Sequence, residues 1–233
     1  MVEPEGTLAD RLAAMRAGIA DAARASGREP EELTLIAVTK FHPASLVRAL
    51  HALGVRDFGE NRHQEAREKA AELADLDGVH WHFVGQLQSK KARQVREYAS
   101  VVHSIDREAL VTALARPADG EATLDAFLQV NLTDDPARGG ARPDDAPRLA
   151  ELIATEAATG LRLRGVMAVA PLGEEPRRAF ARLKAISEQV AIVVPTATEI
   201  SAGMSHDFRE AIAEGATHLR IGTAITGPRP SQE

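Results

Sequence analysis

The chain alternates between short apolar runs and longer segments with helical periodicity. The apolar runs predict eight strands, in LTLIAVT, VRDFGE, VHWHFVG, SVVHSI, LDAFLQVNL, LRGVMAVAP, TEISAG and THLRIGTAI. Between them, apolar residues recur every three or four positions, which predicts amphipathic helices. A further helix is predicted before the first strand, where Leu8, Leu12, Met15 and Ile19 share one helical face.

Strands that alternate with helices predict parallel pairing through right-handed crossovers. Eight such units in 233 residues indicate an α/β protein with a single (β/α)8 TIM barrel, one domain over residues 1–233, and an extra N-terminal helix. An open doubly wound sheet is the alternative. The first strand end, VTKFHP, lacks the glycine fingerprint of a dinucleotide site, so the barrel is favoured.

Composition narrows the classes of function. The formal net charge is -6 and the basic residues are dispersed, which argues against nucleic-acid binding. The absence of cysteine excludes disulfides and thiolate metal sites and fits a reducing compartment. No apolar run approaches the roughly 20 residues that cross a bilayer, and the N-terminus lacks the apolar segment of a secretory signal. We expect a cytoplasmic protein that does not bind membranes and, since a barrel of this size can stand alone, a monomer.

The C-terminal ends of the predicted strands are where a barrel carries its active site. Lys40 ends the first strand. Most lysines at strand ends are solvated, which is the simpler interpretation of this residue alone. A partly desolvated amine in this position can instead form an imine with an aldehyde.

Two small-residue segments, SAGMS and RIGT, end the seventh and eighth strands, where barrels commonly hold phosphate. Glycines let backbone amides approach an anion, and hydroxyls add donors. The alternative for Ser205 is a plain N-cap of the helix that follows, and Asp106 is expected to cap the helix after the fourth strand.

Arg220 is the third candidate at the strand ends. Pointing into the mouth of the barrel, it would donate to a pyridine nitrogen without protonating the ring; a solvated or ion-paired arginine is the alternative. An amine, a phosphate cradle and a ring-nitrogen donor are together the requirements for pyridoxal 5'-phosphate (PLP). His80 and His82 share a strand face, but no third ligand has matching spacing, so no metal site is predicted.

The sequence resembles the pyridoxal phosphate homeostasis proteins, the YggS/PROSC type, through these motifs in the same order along nearly the whole chain: LIAVTKFHP, FGENRHQE, WHFVGQLQSKKAR, VHSIDR, LQVNL, GVMAVAP and SAGMSHDFREAIAEGATHLRIGTAI. The resemblance implies the barrel of the alanine racemase N-terminal domain, with PLP as a Schiff base on Lys40. It also implies the following cofactor-binding residues: Ser201, Ser205, Gly222 and Thr223 near the phosphate, Arg220 at the ring nitrogen or the phosphate, and Asn61 and Met204 beside the ring.

Several positions depart from the family pattern, among them Gln86, Lys90, Ala202 and Thr226. The loop after the fifth strand often carries a lysine that touches PLP, and here the position corresponds to Arg138. Arginine does not form an imine at ordinary pH, so we expect at most electrostatic binding of phosphate there.

The resemblance implies a PLP-binding regulator of cofactor and amino-acid homeostasis, with apo-PLP enzymes as possible recipients. No catalytic residue is predicted, because racemases place acid–base groups at the substrate's α-carbon and draw one from a second domain. This chain ends soon after the eighth strand. A weak PLP-dependent racemase and a barrel for another phosphorylated metabolite remain the alternatives.

Overall fold

Eight parallel strands pair in chain order, and the eighth pairs with the first to close a barrel. The protein is described by a computed structural model that covers residues 6–115, 122–155 and 160–228. The strands are β1 (Thr34–Val38), β2 (Asp57–Glu60), β3 (His80–Phe83), β4 (Val101–Ile105), β5 (Leu124–Gln129), β6 (Leu161–Met167), β7 (Glu199–Ser201) and β8 (His218–Ile221). The predicted TIM barrel is confirmed.

Helices cover the outside of this barrel. Those in the described ranges are α1 (Leu8–Ala25), α2 (Ala44–Ala52), α3 (His63–Glu72), α4 (Ala92–Arg96), α5 (Glu108–Leu114), α6 (Ala146–Thr155), α7 (Pro176–Val193), α8 (Phe208–Ala213) and α9 (Thr223–Thr226). None of them is long and apolar enough to cross a membrane.

The predicted N-terminal helix is α1. A capping box starts it, in which the side chain of Thr7 accepts from the amide of Asp10. Leu12 and Ile19 are buried, and Leu8 and Met15 pack against the core. The helix lies against α8 and α9, so it supports the strand ends around β8.

Most strand residues are apolar, because the helices cover one face of each strand and the barrel interior lies against the other. β4 is buried at all five positions, although it includes His103 and Ser104. The register at the closure places Ile36 opposite Arg220 and Ala37 opposite Ile221. The residues that follow β1 and β8 therefore reach the same rim side by side.

One predicted helix cap is wrong, and so is the alternative of a cap at Ser205. The helix after β4 begins at Glu108 with Arg107 at the N-cap, and Asp106 instead accepts hydrogen bonds from Arg107 and from the amide of Gly140. The helix after β7 has Asp207 at its N-cap. Ser205 is therefore not a cap and its hydroxyl is available for another role.

Candidate functional site

The predicted site residues gather at one rim of the barrel and just inside it. Lys40 comes two residues after β1, and Asn61 comes directly after β2. On the other side of β1, Gly222 and Thr223 follow β8. A β-carbon at Gly222 would lie 3.7 Å from the carbonyl oxygen of Val38, which shows how closely this segment passes the end of β1.

The turn after Lys40 is held in an unusual backbone conformation. Phe41 has φ 68°, a region that residues other than glycine rarely adopt. Its amide donates to Glu65 Oε1 over 2.6 Å, and the guanidinium of Arg62 lies 4.7 Å from the centre of its ring. Strained backbone of this kind persists only where its surroundings fix it, and it occurs often at functional sites.

A second lysine, Lys69 of α3, stabilises the segment before Lys40. Its ammonium donates to the carbonyl oxygen of Thr39 over 2.9 Å, to Glu60 Oε1 over 2.7 Å and to Glu65 Oε1 over 2.8 Å. Thr39 also donates its hydroxyl to Glu60 Oε1 over 2.7 Å. Burial raises the pKa of Glu60 above its ordinary value, although Lys69 opposes the shift. The spacing of Glu65 and Lys69 in the sequence suggests only a solvated helical pair, so this cluster was not predicted.

Asn61 brings an unpaired polar atom to the rim. Its Oδ1 is buried and has no hydrogen-bond partner among the described residues. The segment after β3 presses on its backbone, since a β-carbon at Gly85 would lie 2.1 Å from the carbonyl oxygen of Asn61. A buried acceptor without a partner is costly, and a ligand with a donor group would satisfy it.

The loop after β7 turns sharply through Gly203, which has φ +89°. A β-carbon there would come within 2.7 Å of the side chain of Ala211, so glycine is required. The amide of Ala224 lies 3.4 Å from the hydroxyl of Ser205, which links this loop to the start of α9. Ser205 is half-buried and Thr223 exposed, so hydroxyls of both loops lie near the open rim.

Arg220 lies deeper, within β8, and is buried. One of its terminal nitrogens donates to the hydroxyl of Ser201 over 2.7 Å and the other donates to the carbonyl oxygen of Ala168 over 2.9 Å. Burial lowers the pKa of Arg220 to about 10, against the influence of Asp207, so the group remains a cation at neutral pH. A guanidinium has five N–H donors, and three remain beyond these two bonds.

Ser201 and Met204 occupy two different levels of the barrel. Ser201 is completely buried, and its hydroxyl contacts Arg220 and His103 inside the barrel. Met204 is 37% exposed, and its amide donates to Asp207. Ser201 therefore lies behind the arginine, while Met204 lies at the outer edge.

Arg138 lines a groove of about 1400 Å³ formed by the loops after β5 and β6. Arg142, Arg178 and Arg182 line it too, together with carboxylates such as Asp134 and Glu174. Arg182 pairs with Glu174, so the groove is of mixed charge. This groove lies beside the rim and is separate from the segments around Lys40.

His80 and His82 do share a face, because both contact Asp57 Oδ1, at 3.2 and 3.0 Å. In the described part of the chain, no group of three or more histidine, cysteine or carboxylate side chains is arranged to hold a metal ion. The other ring nitrogen of His82 contacts His103, so both of its nitrogens already have partners.

Tyr98, the one tyrosine of the chain, is poorly suited to acid–base chemistry at the rim. It follows α4, and its hydroxyl lies 3.5 Å from His63 Nδ1. Burial, together with the charge of Glu60, raises the pKa of Tyr98 above its ordinary value. A phenol with a raised pKa is a weaker source of protons than an ordinary tyrosine.

Comparison with known proteins extends the resemblance. A family profile described as alanine racemase, N-terminal domain matches residues 11–230. The pyridoxal phosphate homeostasis protein of Pseudomonas aeruginosa is 45% identical over 228 residues, which cover 96% of each chain. The protein of the same name from Escherichia coli is 38% identical, with 95% of this chain and 97% of that one covered.

The fold is also similar to those of solved structures. PipY of Synechococcus elongatus with PLP bound has a TM-score of 0.80 and 37% identity, and the match covers 95% of this chain and 100% of that one. An alanine racemase from Corynebacterium glutamicum has a TM-score of 0.67 at 15% identity, which is a likeness of fold alone. The match covers 94% of this chain but 61% of the racemase.

Proposed function

Because the chain belongs to the family of pyridoxal phosphate homeostasis proteins, we propose that it binds PLP at this rim, through a Schiff base on Lys40, and acts in PLP and amino-acid homeostasis without robust catalysis. The observation that carries the proposal is the position of Lys40 between two segments that suit this cofactor. Asn61 lies on one side of β1 and the Gly222–Thr223 segment on the other.

The residues present fit the cofactor. The buried, unpartnered Oδ1 of Asn61 offers an acceptor to a bound group. Arg220 keeps three N–H donors beyond its two internal bonds, which suits a pyridine nitrogen. The hydroxyls of Ser205 and Thr223 and the amides around Gly222 suit a phosphate.

Bound PLP supplies an aldehyde with which a lysine amine condenses, so that a C=N bond replaces the C=O bond and water leaves. The other residues bind and orient. Lys69 and Glu65 fix the backbone on both sides of Lys40, at Thr39 and Phe41. As a permanent cation, Arg220 can donate to the ring nitrogen but does not transfer a proton to it at neutral pH.

Two observations support a carrier or regulator over a racemase. The chain is 45% identical to a homeostasis protein over nearly the full length of both, whereas its likeness to the racemase is one of fold alone. The raised pKa of Tyr98 makes it a poor acid at neutral pH, and its hydroxyl lies beside His63 at the start of α3. We further propose a cytoplasmic monomer that passes PLP to apo-PLP enzymes.

The test is a visible absorption spectrum of the protein after addition of PLP. We expect a band from the imine-linked cofactor in the wild type, its loss in Lys40→Ala, and its retention in Lys184→Ala, which removes an exposed lysine of α7. A full band in Lys40→Ala would contradict the role of Lys40. Steady racemisation of alanine that Lys40→Ala abolishes would favour the racemase, and absence of a band in the wild type would favour another phosphorylated ligand.

A further inference from the structure

A chain of hydrogen-bonded side chains crosses the interior of the barrel and ends on Arg220. From Arg220, Nη1 reaches the Ser201 hydroxyl at 2.7 Å, and that hydroxyl lies 2.9 Å from His103 Nδ1. His103 Nε2 is 2.9 Å from His82 Nδ1, and His82 Nε2 is 3.0 Å from Asp57 Oδ1. The chain thus joins β8, β7, β4, β3 and β2, and Asp57 is the first residue of its strand. It runs from near the rim to the opposite end of the barrel.

With both imidazoles neutral, the carboxylate at one end and the guanidinium at the other fix the direction of every hydrogen bond in the chain. A guanidinium only donates, so Ser201 accepts from Arg220 and keeps its own hydrogen for the unprotonated Nδ1 of His103. His103 must then carry its proton on Nε2 and donate it to His82. His82 likewise carries its proton on Nε2 and donates it to Asp57, whose ionised carboxylate only accepts. One arrangement of protons satisfies every member.

The environment favours this arrangement. Burial, with the nearby His82, Arg220 and His218, holds the pKa of His103 well below its ordinary value, which keeps the imidazole neutral. Burial works against ionisation of Asp57, but its contacts with His82 and His80 outweigh that effect and lower its pKa. Phe127 stacks on His103 with ring centres 4.6 Å apart, which restricts rotation of the imidazole.

We propose that Asp57, His82, His103 and Ser201 are positioning residues that fix the orientation of the Arg220 guanidinium toward the bound cofactor. The role toward the cofactor rests on the proposed function. The carbonyl of Ala168 holds one terminal nitrogen and Ser201 holds the other, so the plane of the group has two anchors. Ser201 is itself oriented through the two histidines, so an aspartate at the far end of the barrel influences a group near the rim.

Two variants break the chain at opposite ends. Ser201→Ala removes the hydroxyl that holds Arg220, and Asp57→Leu removes the final acceptor. Asp125→Leu is the matched control. Asp125 also lies near the start of its strand, its side chain is 20% exposed against 25% for Asp57, and its partners are Arg162 and Arg164.

The first measurement uses protein without cofactor and reads histidine tautomers by nitrogen-15 NMR. We expect the Nε2–H tautomer for His82 and His103 in the wild type and Asp125→Leu, and a mixture of tautomers in Asp57→Leu. Nδ1–H tautomers in the wild type would overturn the proposal. This result does not depend on PLP binding, so it separates failure of the chain from failure of the proposed function.

The second measurement titrates PLP into each variant and follows the visible band. We expect Ser201→Ala and Asp57→Leu to shift the band maximum in the same direction and to raise the dissociation constant several-fold, while Asp125→Leu matches the wild type. An unchanged band and affinity in Ser201→Ala would overturn the proposal even if Asp57→Leu does not fold. A merely structural role would change the melting temperature and leave the band maximum in place.

Discussion

Lys40 and Lys69 carry the same amine, but the fold gives them different roles. Lys69 is buried against three acceptors at 2.7–2.9 Å, so its three donors are all used. Lys40 follows the segment that this ammonium stabilises and precedes the strained turn at Phe41. Position on the rim, and not residue type, therefore makes Lys40 the candidate for the cofactor.

Replacing Lys69 by methionine leaves Glu60 buried without its cation. We expect Lys69→Met to lower the free energy of unfolding by about 3–5 kcal/mol, the usual range when one partner of a buried ion pair is removed. Urea denaturation measures this, with the exposed Lys184→Met as a control that changes little. Adding Glu60→Gln should recover part of the loss, and a double variant less stable than Lys69→Met would contradict the assignment.

The sequence identified residues whose position along a strand places them at the rim. Lys40, Asn61, Gly222 and Thr223 could be predicted because parallel strands all end at one rim. Contacts across the barrel could not, since Asp57, His82 and His103 lie on different strands and only closure brings them together. The hydrogen bond between Ser201 and Arg220 could not be predicted either, because the two residues lie on different strands.

At the scale of elements, the alternation of eight strands with helices could be predicted from the sequence, because the strands lie in short apolar runs and the helices in amphipathic segments. Helix starts were less predictable. Asp106 and Ser205 are good N-cap types, yet tertiary contacts use them elsewhere: Asp106 accepts from the amide of Gly140 and Ser205 from that of Ala224. A local preference of about 1 kcal/mol is readily outweighed by such contacts.

The extra helix α1 stabilises one segment of the rim. Arg11 donates from Nε to the carbonyl oxygen of Ile225 over 2.9 Å, which holds α9 and therefore the Thr223 segment. We expect Arg11→Gln to raise the dissociation constant for PLP by roughly fivefold, as for the loss of about 1 kcal/mol of hydrogen bonding. Arg16→Gln is the control, because Arg16 lies on the same helix but donates to Leu53. Equal affinities in the two variants would count against this role of α1.

At the scale of the whole molecule, the barrel interior contains neutral histidines that oppose acidification. Burial, with the charges of His82 and Arg164, lowers the pKa of His218 from 6.5 to about 3. His103 is shifted in the same direction. In the unfolded chain both imidazoles take up protons near their ordinary pKa, so acid favours the unfolded state.

The contribution of these histidines to the free energy of unfolding should therefore be fully present above about pH 6.5. It should fall as the pH drops toward 3, by at most about 1.4 kcal/mol per pH unit for each histidine. We expect His218→Phe to show a shallower decline, since one group that takes up a proton on unfolding is gone. Chemical denaturation at several pH values measures the slope. If the unfolding free energies of the wild type and His218→Phe fall with pH at the same slope, His218 does not cause the loss of stability in acid.

The central claim is that Lys40 carries the cofactor, and borohydride reduction tests it most directly. Reduction of the protein–PLP complex turns the C=N bond into a stable amine, so peptide mass spectrometry can locate the adduct among Lys40, Lys69, Lys90, Lys91 and Lys184. We predict a phosphopyridoxyl group on the peptide that contains Lys40, lost in Lys40→Ala. An adduct on another lysine with Lys40 unmodified would contradict the account.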